Sequence, residues 1–268
     1  MKRKALTFIT LFILLFALVL FILNTRGIGM QQIKLAWIMS GHELVLDNNK
    51  LQYRLYNPKV SGNKKIPLVL ILQSAYGRGS DNIRHLSNTV SKFTSSDFQS
   101  IESSYILAPQ CPNGLEWNNN RISRAPFINY DMDSHTQSWR QTMIISIIDE
   151  LIKSKNVDPH RIYITGESMG ASGSWEFLYR YPNKFAAAII LNGRNDPAKA
   201  STISRTPMRI FHGRDDKIAP VQNSIDMISA INNFKSDAHL QILETGHSLS
   251  NIVYNEPLYH WLLSNQTN

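Results

Sequence analysis

The stretch Gly166-Glu167-Ser168-Met169-Gly170 sets a serine between two glycines where one residue pattern stops and another begins. Before it, RIYIT reads as a buried strand. After it, MGASGSWEFLYR has the apolar spacing of a helix. A strand-to-helix turn that sharp demands small flanking residues and lifts its central side chain clear of the sheet. The helix start then offers unpaired N–H groups and the positive end of its dipole to the hydroxyl. Ser168 is therefore a candidate nucleophile, and attack on a carbonyl carbon is the chemistry it implies.

A hydroxyl needs a base to take its proton. Of eight histidines, His247 in LETGHSLS directly follows the last strand pattern, where a loop can carry it to Ser168. His212, in IFHGRDD, ends the preceding strand and is read as shaping its loop. His42, His85, His135, His160, His239 and His260 lack such a setting and are read as surface or supporting residues. The imidazole needs an acid to fix its tautomer and stabilise its charged form. HGRDDKIAP offers two. Asp216 is preferred, Asp215 is the alternative, and Asp196, after FAAAIIL, is a remote third. The set calls for no metal and no cofactor.

The elements that must hold these residues follow from periodicity. HELVLDNNKLQYRLYNP reads as a hairpin, its two alternating runs joined through Asp47-Asn48-Asn49-Lys50. IPLVLILQ, SYILAPQ, RIYITG, FAAAIILNG, PMRIFHG and AHLQILE are six further short apolar runs, as expected of strands covered on both faces. Val157-Asp158-Pro159 is expected to break the chain before the third of these. Helical spacing marks Ser138–Lys153, the segment after Ser168 to about Tyr181, Pro220 to about Asn232, and NIVYNEPLYHWLLS with an internal Pro257. Strands alternating with helices imply an α/β fold: a mostly parallel sheet of about eight strands, an antiparallel hairpin at one edge, and helices on both faces. Ligands bind such sheets beyond the carboxyl ends of the strands, and Ser168, Asp216 and His247 all fall there.

With these residues in place, the sequence resembles an α/β-hydrolase, in which the order Ser, Asp, His is expected. It is most similar to bacterial esterases and "predicted peptidases" related to polyhydroxybutyrate depolymerases and feruloyl esterases. The similarity runs from about Ile66 to Leu263, through RGSDN (Arg78–Asn82), APQCP (Ala108–Pro112), VDPHRIYITGESMGASGSW (Val157–Trp175), YPNKFAAAIILNG (Tyr181–Gly193), FHGRDDKIAP (Phe211–Pro220) and NEPLYHWLL (Asn255–Leu263). The acid of the family's HGxxDxxVP pattern falls on Asp216, its histidine on His247 and its nucleophile on Ser168. The resemblance also implies an oxyanion hole made by the backbone N–H groups of Ala75 and Met169. In one place the pattern departs: the family's LHGAGERGSDN reads LQSAYGRGSDN here, with Gln73-Ser74 for His-Gly and Tyr76 for Gly. Tyr76 is expected to narrow the acyl side of the pocket.

The function implied is a serine hydrolase acting on carboxylic esters. A peptidase or an acyltransferase would use the same triad, and a non-catalytic, membrane-anchored binding protein would keep the scaffold without the chemistry. The long loop Asn113–Asp133 is expected near the site. Its Trp117, Phe127 and Tyr130 either line a pocket or pack as loop aromatics.

Bulk properties bound the rest. A chain of 268 residues with 43% hydrophobic and 18% charged residues suits one α/β domain. Lys2, Arg3, Lys4 and Arg26 supply four of the eight net positive charges, so the remainder is only mildly basic and no nucleic-acid groove is expected. The lone Cys111 excludes an internal disulfide and paired-cysteine metal sites, and reads as a small buried hydrophobe. Ala5–Leu23 is apolar and uncharged behind MKRK. As a helix it would reach about 28 Å, close to a bilayer's hydrocarbon thickness, with the basic end kept in the cytoplasm. Residues 1–26 are thus read as a signal anchor or signal peptide. The anchor is favoured over cleavage before Met30, because Asn24-Thr25-Arg26 makes a poor cleavage site. Residues 27–41 are a connector and 42–268 the hydrolase domain, placed outside the cytoplasm: held at the inner membrane, or secreted or periplasmic after cleavage. Within the connector, IKLAWIM is either a membrane-surface segment or the first packing element.

Overall fold

The computed structural model describes residues 25, 27–60, 62, 64–118, 131–133 and 136–268. The expected membrane span, residues 5–23, lies outside them, as do Phe127, Tyr130 and His135. Among the described residues no helix is long and apolar enough to cross a membrane.

Helix α1 (Met30–Ile38) precedes a hairpin of β1 (Ser40–Leu46) and β2 (Asn49–Tyr56). Asp47 and Asn48 take positive φ of 48° and 63°, so the turn is the two-residue kind whose twist matches paired strands. It is shorter than the four residues read from the sequence, because Asn49 and Lys50 already pair with Leu46 and Val45. Then follow β3 (Ile66–Leu72), α2 (Asn88–Thr94), α3 (Ser96–Gln99), β4 (Tyr105–Pro109), α4 (Trp139–Ser154), β5 (Val157–Glu167), α5 (Met169–Arg180), β6 (Ala187–Leu191), α6 (Ala200–Ile203), β7 (Met208–Gly213), α7 (Gln222–Ile231), β8 (Ala238–Leu243) and α8 (Glu256–Ser264).

One eight-stranded sheet runs β1-β2-β4-β3-β5-β6-β7-β8. β1/β2 and β2/β4 are antiparallel and every other pair is parallel. Side chains alternate between two cores. Leu68, Leu70, Leu72, Ile162, Ile164, Ala188 and Ile190 pack under α4, α5 and α7. Val69, Ile71, Ile106, Tyr163, Ile189 and Leu191 pack with residues of α1, α2, α3 and α8. This is the layered α/β-hydrolase arrangement expected, with helices on both faces.

Two segments differ from the sequence reading, and a third decides between alternatives it left open. β5 starts at Val157 and runs through Pro159. Its register with β3 shifts between Ile66 and Leu68, and its pairing with β6 begins only at Tyr163. The missing N–H of Pro159 therefore falls where no regular ladder needs it. The last helix starts at Glu256, with Asn255 accepting from the Leu258 N–H at 3.1 Å. Pro257 lies in its first turn, where no intrahelical donor is lost, and not in its interior. IKLAWIM proves to be a packing element: Leu35 and Met39 are buried, and Arg54 Nη1 donates to the Ala36 and Met39 carbonyls at 2.9 Å each.

Sheet order also places the site. From β3 the chain goes to β4 on one side and, through α4, to β5 on the other. A crevice opens where the order reverses, beyond the carboxyl ends of β3 and β5. Residues 73–77 follow the first strand and Ser168 follows the second.

Candidate active site

Ser168 joins β5 to α5 with φ 59° and ψ −119°, a conformation that costs a non-glycine residue about 1–3 kcal/mol. Its neighbours leave no alternative. A Cβ on Gly170 would lie 2.0 Å from the Leu72 carbonyl oxygen, and one on Gly166 would lie 2.4 Å from the Gly170 carbonyl carbon. The Ser168 N–H is tied to Leu191 O at 2.9 Å, which fixes the turn against β6 and directs the hydroxyl outward.

His247 and Asp216 converge on that hydroxyl. His247 Nε2 is 2.8 Å from Ser168 Oγ, and its Nδ1 is 2.6 Å from Asp216 Oδ2. An ionised carboxylate only accepts, so Nδ1 carries the proton and Nε2 offers its lone pair to the serine. Asp216 Oδ1 accepts from the Ile218 and Ala219 N–H groups at 2.8 and 2.9 Å. Burial raises the Asp216 pKa, but hydrogen bonds from His212 and His247, then those from Ala219 and Ile218, outweigh it and hold the carboxyl well below the usual carboxylate range. Asp215 is exposed to solvent, and Asp196 accepts from the Met132 and Ala198 N–H groups. Neither reaches His247.

His212 is fully buried behind the acid. Its Nε2 donates to Ala219 O at 2.7 Å, and its Nδ1 accepts from Ser224 Oγ at 2.7 Å. It shapes the loop, as its position in the sequence suggested. Two residues that sequence reasoning passed over hold the His247 loop. Glu167 accepts from the Leu249 and Ser250 N–H groups at 2.6 and 3.2 Å, and Asn192 Nδ2 donates to His247 O at 2.6 Å. Their signal in the sequence was their place, at or just after the carboxyl ends of β5 and β6.

Ala75 and Met169 line the same pocket as Ser168. Each opens a helix, Ala75 a short 3₁₀ turn and Met169 α5, where N–H groups have no intrahelical partner. Among the described residues neither N–H donates to the protein. The altered loop is held through its backbone, Gln110 Nε2 donating to Gly77 O at 3.1 Å and Trp117 Nε1 to Gln73 O at 3.0 Å, while the buried Gln73 amide finds no partner among the described residues. Tyr76 does not narrow the pocket. It is 90% exposed, because the 3₁₀ turn that faces Ala75 inward swings Tyr76 out. Trp117 is fully buried and touches Gly173, so it packs and does not line the cavity. Cys111 is buried, and burial pushes its thiol up to about 12, too high for a nucleophile at neutral pH. Among the described residues no group of three His, Cys, Asp or Glu side chains could hold a metal ion.

Fold and site together define a hydrolase-type α/β protein with a Ser–His–Asp constellation at the carboxyl edge of its sheet. Comparison with known families narrows the class. Residues 74–255 match the Phospholipase/Carboxylesterase family, and the chain belongs to it. A solved thermostable esterase is 28% identical, with a TM-score of 0.77 over 87% of this chain and 64% of that one. A ferulic acid esterase at 16% identity shares the fold, with a TM-score of 0.62 over 84% of this chain and 97% of that one. The bifunctional acetylxylan esterase/xylanase XynS20E of Neocallimastix patriciarum is 30% identical over 87 residues, 32% of this chain. The chain spans only 13% of that relative's length.

Proposed function

We propose that the protein is a serine hydrolase of carboxylic esters, working through an acyl-enzyme. The observation that carries this reading is the unbroken line from Ser168 Oγ to His247 Nε2 at 2.8 Å and from His247 Nδ1 to Asp216 at 2.6 Å, set on a strained turn that presents the hydroxyl. Ser168 attacks the ester carbonyl while His247 takes its proton. Asp216 holds the imidazole in the required tautomer and stabilises its charged form. The Ala75 and Met169 N–H groups receive the oxyanion. His247 then protonates the leaving alcohol, and a water activated by the same histidine releases the acid. The pocket beside Ser168 holds about 150 Å³, well under the roughly 300–1,000 Å³ of sites that enclose drug-sized ligands, which favours short acyl groups.

We place the domain outside the cytoplasm, held at the membrane by Ala5–Leu23 or released by cleavage after it. The apolar run behind Lys2, Arg3 and Lys4 supports this. Hydrolysis of p-nitrophenyl acetate, butyrate and octanoate tests the reading. Acetate and butyrate should be favoured over octanoate, and Ser168→Ala should be silent on all three. A wild type that is folded yet hydrolyses none of them, and is not labelled by a fluorophosphonate, would sink it.

A further inference from the structure

Arg78, Glu116 and Arg194 stand in the wall of the Ser168 pocket. They come from three loops, each following the carboxyl end of a strand: β3, β4 and β6. Arg194 Nη2 donates to Glu116 Oε2 at 2.9 Å. Arg78 Nη2 lies 3.6 Å from Glu116 Oε1, beyond hydrogen-bond reach, while its Nε donates to Leu115 O at 2.6 Å. A third guanidinium, that of Arg140, donates to the Glu116 and Asn118 carbonyls. Glu116, Arg140 and Arg194 are all buried.

One carboxylate thus stands among three guanidiniums where water is scarce. Three further carboxylates among the described residues are engaged elsewhere: Asp216 by His247, Glu167 by the Leu249 N–H, and Asp196 by the Met132 N–H. Arg78 meets Glu116 only at ion-pair distance, and a charge so poorly solvated gains from a second anionic partner.

We infer that the pocket recognises the carboxylate of an anionic ester and that Arg78 receives it. Among the described residues neither terminal nitrogen of Arg78 donates a hydrogen bond, and only Nη2 has an ion-pair partner, Glu116, so the fork has donors left for a ligand carboxylate. Ala75, Met169 and Ile218 give the same pocket an apolar stretch. That fits a substrate whose charge is a short hydrocarbon link from the scissile carbonyl. The inference rests on the hydrolase reading for its substrate and on the arginine cluster for its charge.

The test uses the full chain in detergent and two matched pairs of esters, each rate normalised to uncatalysed hydrolysis. Mono-p-nitrophenyl succinate against p-nitrophenyl butyrate puts the charge in the acyl part. 4-Acetoxybenzoate against phenyl acetate puts it in the leaving group. One pair should favour its charged member by about tenfold or more in kcat/KM, the strength of a charge-assisted hydrogen bond, and that pair identifies the side. The preference should shrink as salt rises from about 0.02 to about 0.5 M, and Arg78→Gln should abolish it. Absence of a preference in both pairs, or a ratio unmoved in Arg78→Gln, would overturn the inference and leave the cluster as a loop brace. Should that variant misfold, a salt-independent ratio in the wild type overturns it equally. If all four esters resist and fluorophosphonate leaves Ser168 unlabelled, the hydrolase reading falls. Calorimetric binding of monomethyl succinate then judges the pocket: binding lost in Arg78→Gln, or under high salt, sustains it, and no binding overturns it.

Discussion

Asp216 is surrounded by donors: the Nδ1 of His247, two backbone N–H groups, and the buried His212 3.5 Å away. Such an environment does two jobs, keeping the carboxylate ionised and fixing the ring it faces. Asp216→Asn should therefore leave the fold largely in place but cost about 10⁴ in kcat, because the amide favours the wrong imidazole tautomer. Steady-state kinetics on p-nitrophenyl acetate would measure it. A group whose folded pKa is depressed adds stability above its unfolded pKa of about 4 and loses it as pH falls through the folded value. The difference in unfolding free energy between wild type and Asp216→Asn, read by chemical denaturation, should be complete at neutral pH and narrow below about pH 4; a gap that widened there would contradict the direction of the shift. Ser168→Ala should lose about 10⁴–10⁶ in kcat with little change in melting temperature. At this scale the sequence was legible where geometry is local, as in the Gly-x-Ser-x-Gly turn. It was less so where the choice was between adjacent residues. Asp216 was preferred over its neighbour Asp215 and the count against a family pattern agreed, but nothing in the pair itself shows which side chain turns inward. Arg78, Glu116 and Arg194 meet only in three dimensions, so no spacing announced them.

The elements were readable wherever burial imposes a period. Six apolar runs became six parallel strands: the inner ones are covered on both faces and leave few polar positions to confuse the pattern, while β8, at the sheet edge, alternates exposed and half-buried residues along most of its length. Boundaries at proline were misread because a missing N–H matters only where a partner expects it. Pro159 sits in a stretch without a regular ladder, and Pro257 sits in a first turn. Two devices carry element-scale predictions. Ser138 caps α4, accepting from the Gln141 N–H at 3.2 Å while Gln141 Oε1 accepts from the Ser138 N–H at 3.1 Å; its hydroxyl also donates to Trp117 O at 2.8 Å. Ser138→Ala should cost about 1–2 kcal/mol of stability, measurable in urea. Gly170→Ala places a methyl into the backbone of β3 and should cost about 3 kcal/mol or more, seen as a large fall in melting temperature or as insoluble protein. A mild effect would mean that β3 and α5 can separate without loss.

At the scale of the whole molecule, the sheet is a platform, and loops at one edge do the chemistry. The other end of the story lies with Ala5–Leu23. The full chain should float with phospholipid vesicles, residues 30–268 should remain in solution, and kcat/KM on soluble esters should agree within about twofold, because the site lies beyond the strands and draws nothing from the connector. Ser168 adds a consequence of a different kind. Its positive φ is a conformation that glycine holds at ease and serine does not. On the proposed mechanism the molecule gives up heat tolerance for its nucleophile, and Ser168→Gly should melt higher than wild type while hydrolysing nothing. In a lineage where a gene duplicate was released from catalysis, position 168 would be among the first to drift, and glycine is where it would settle.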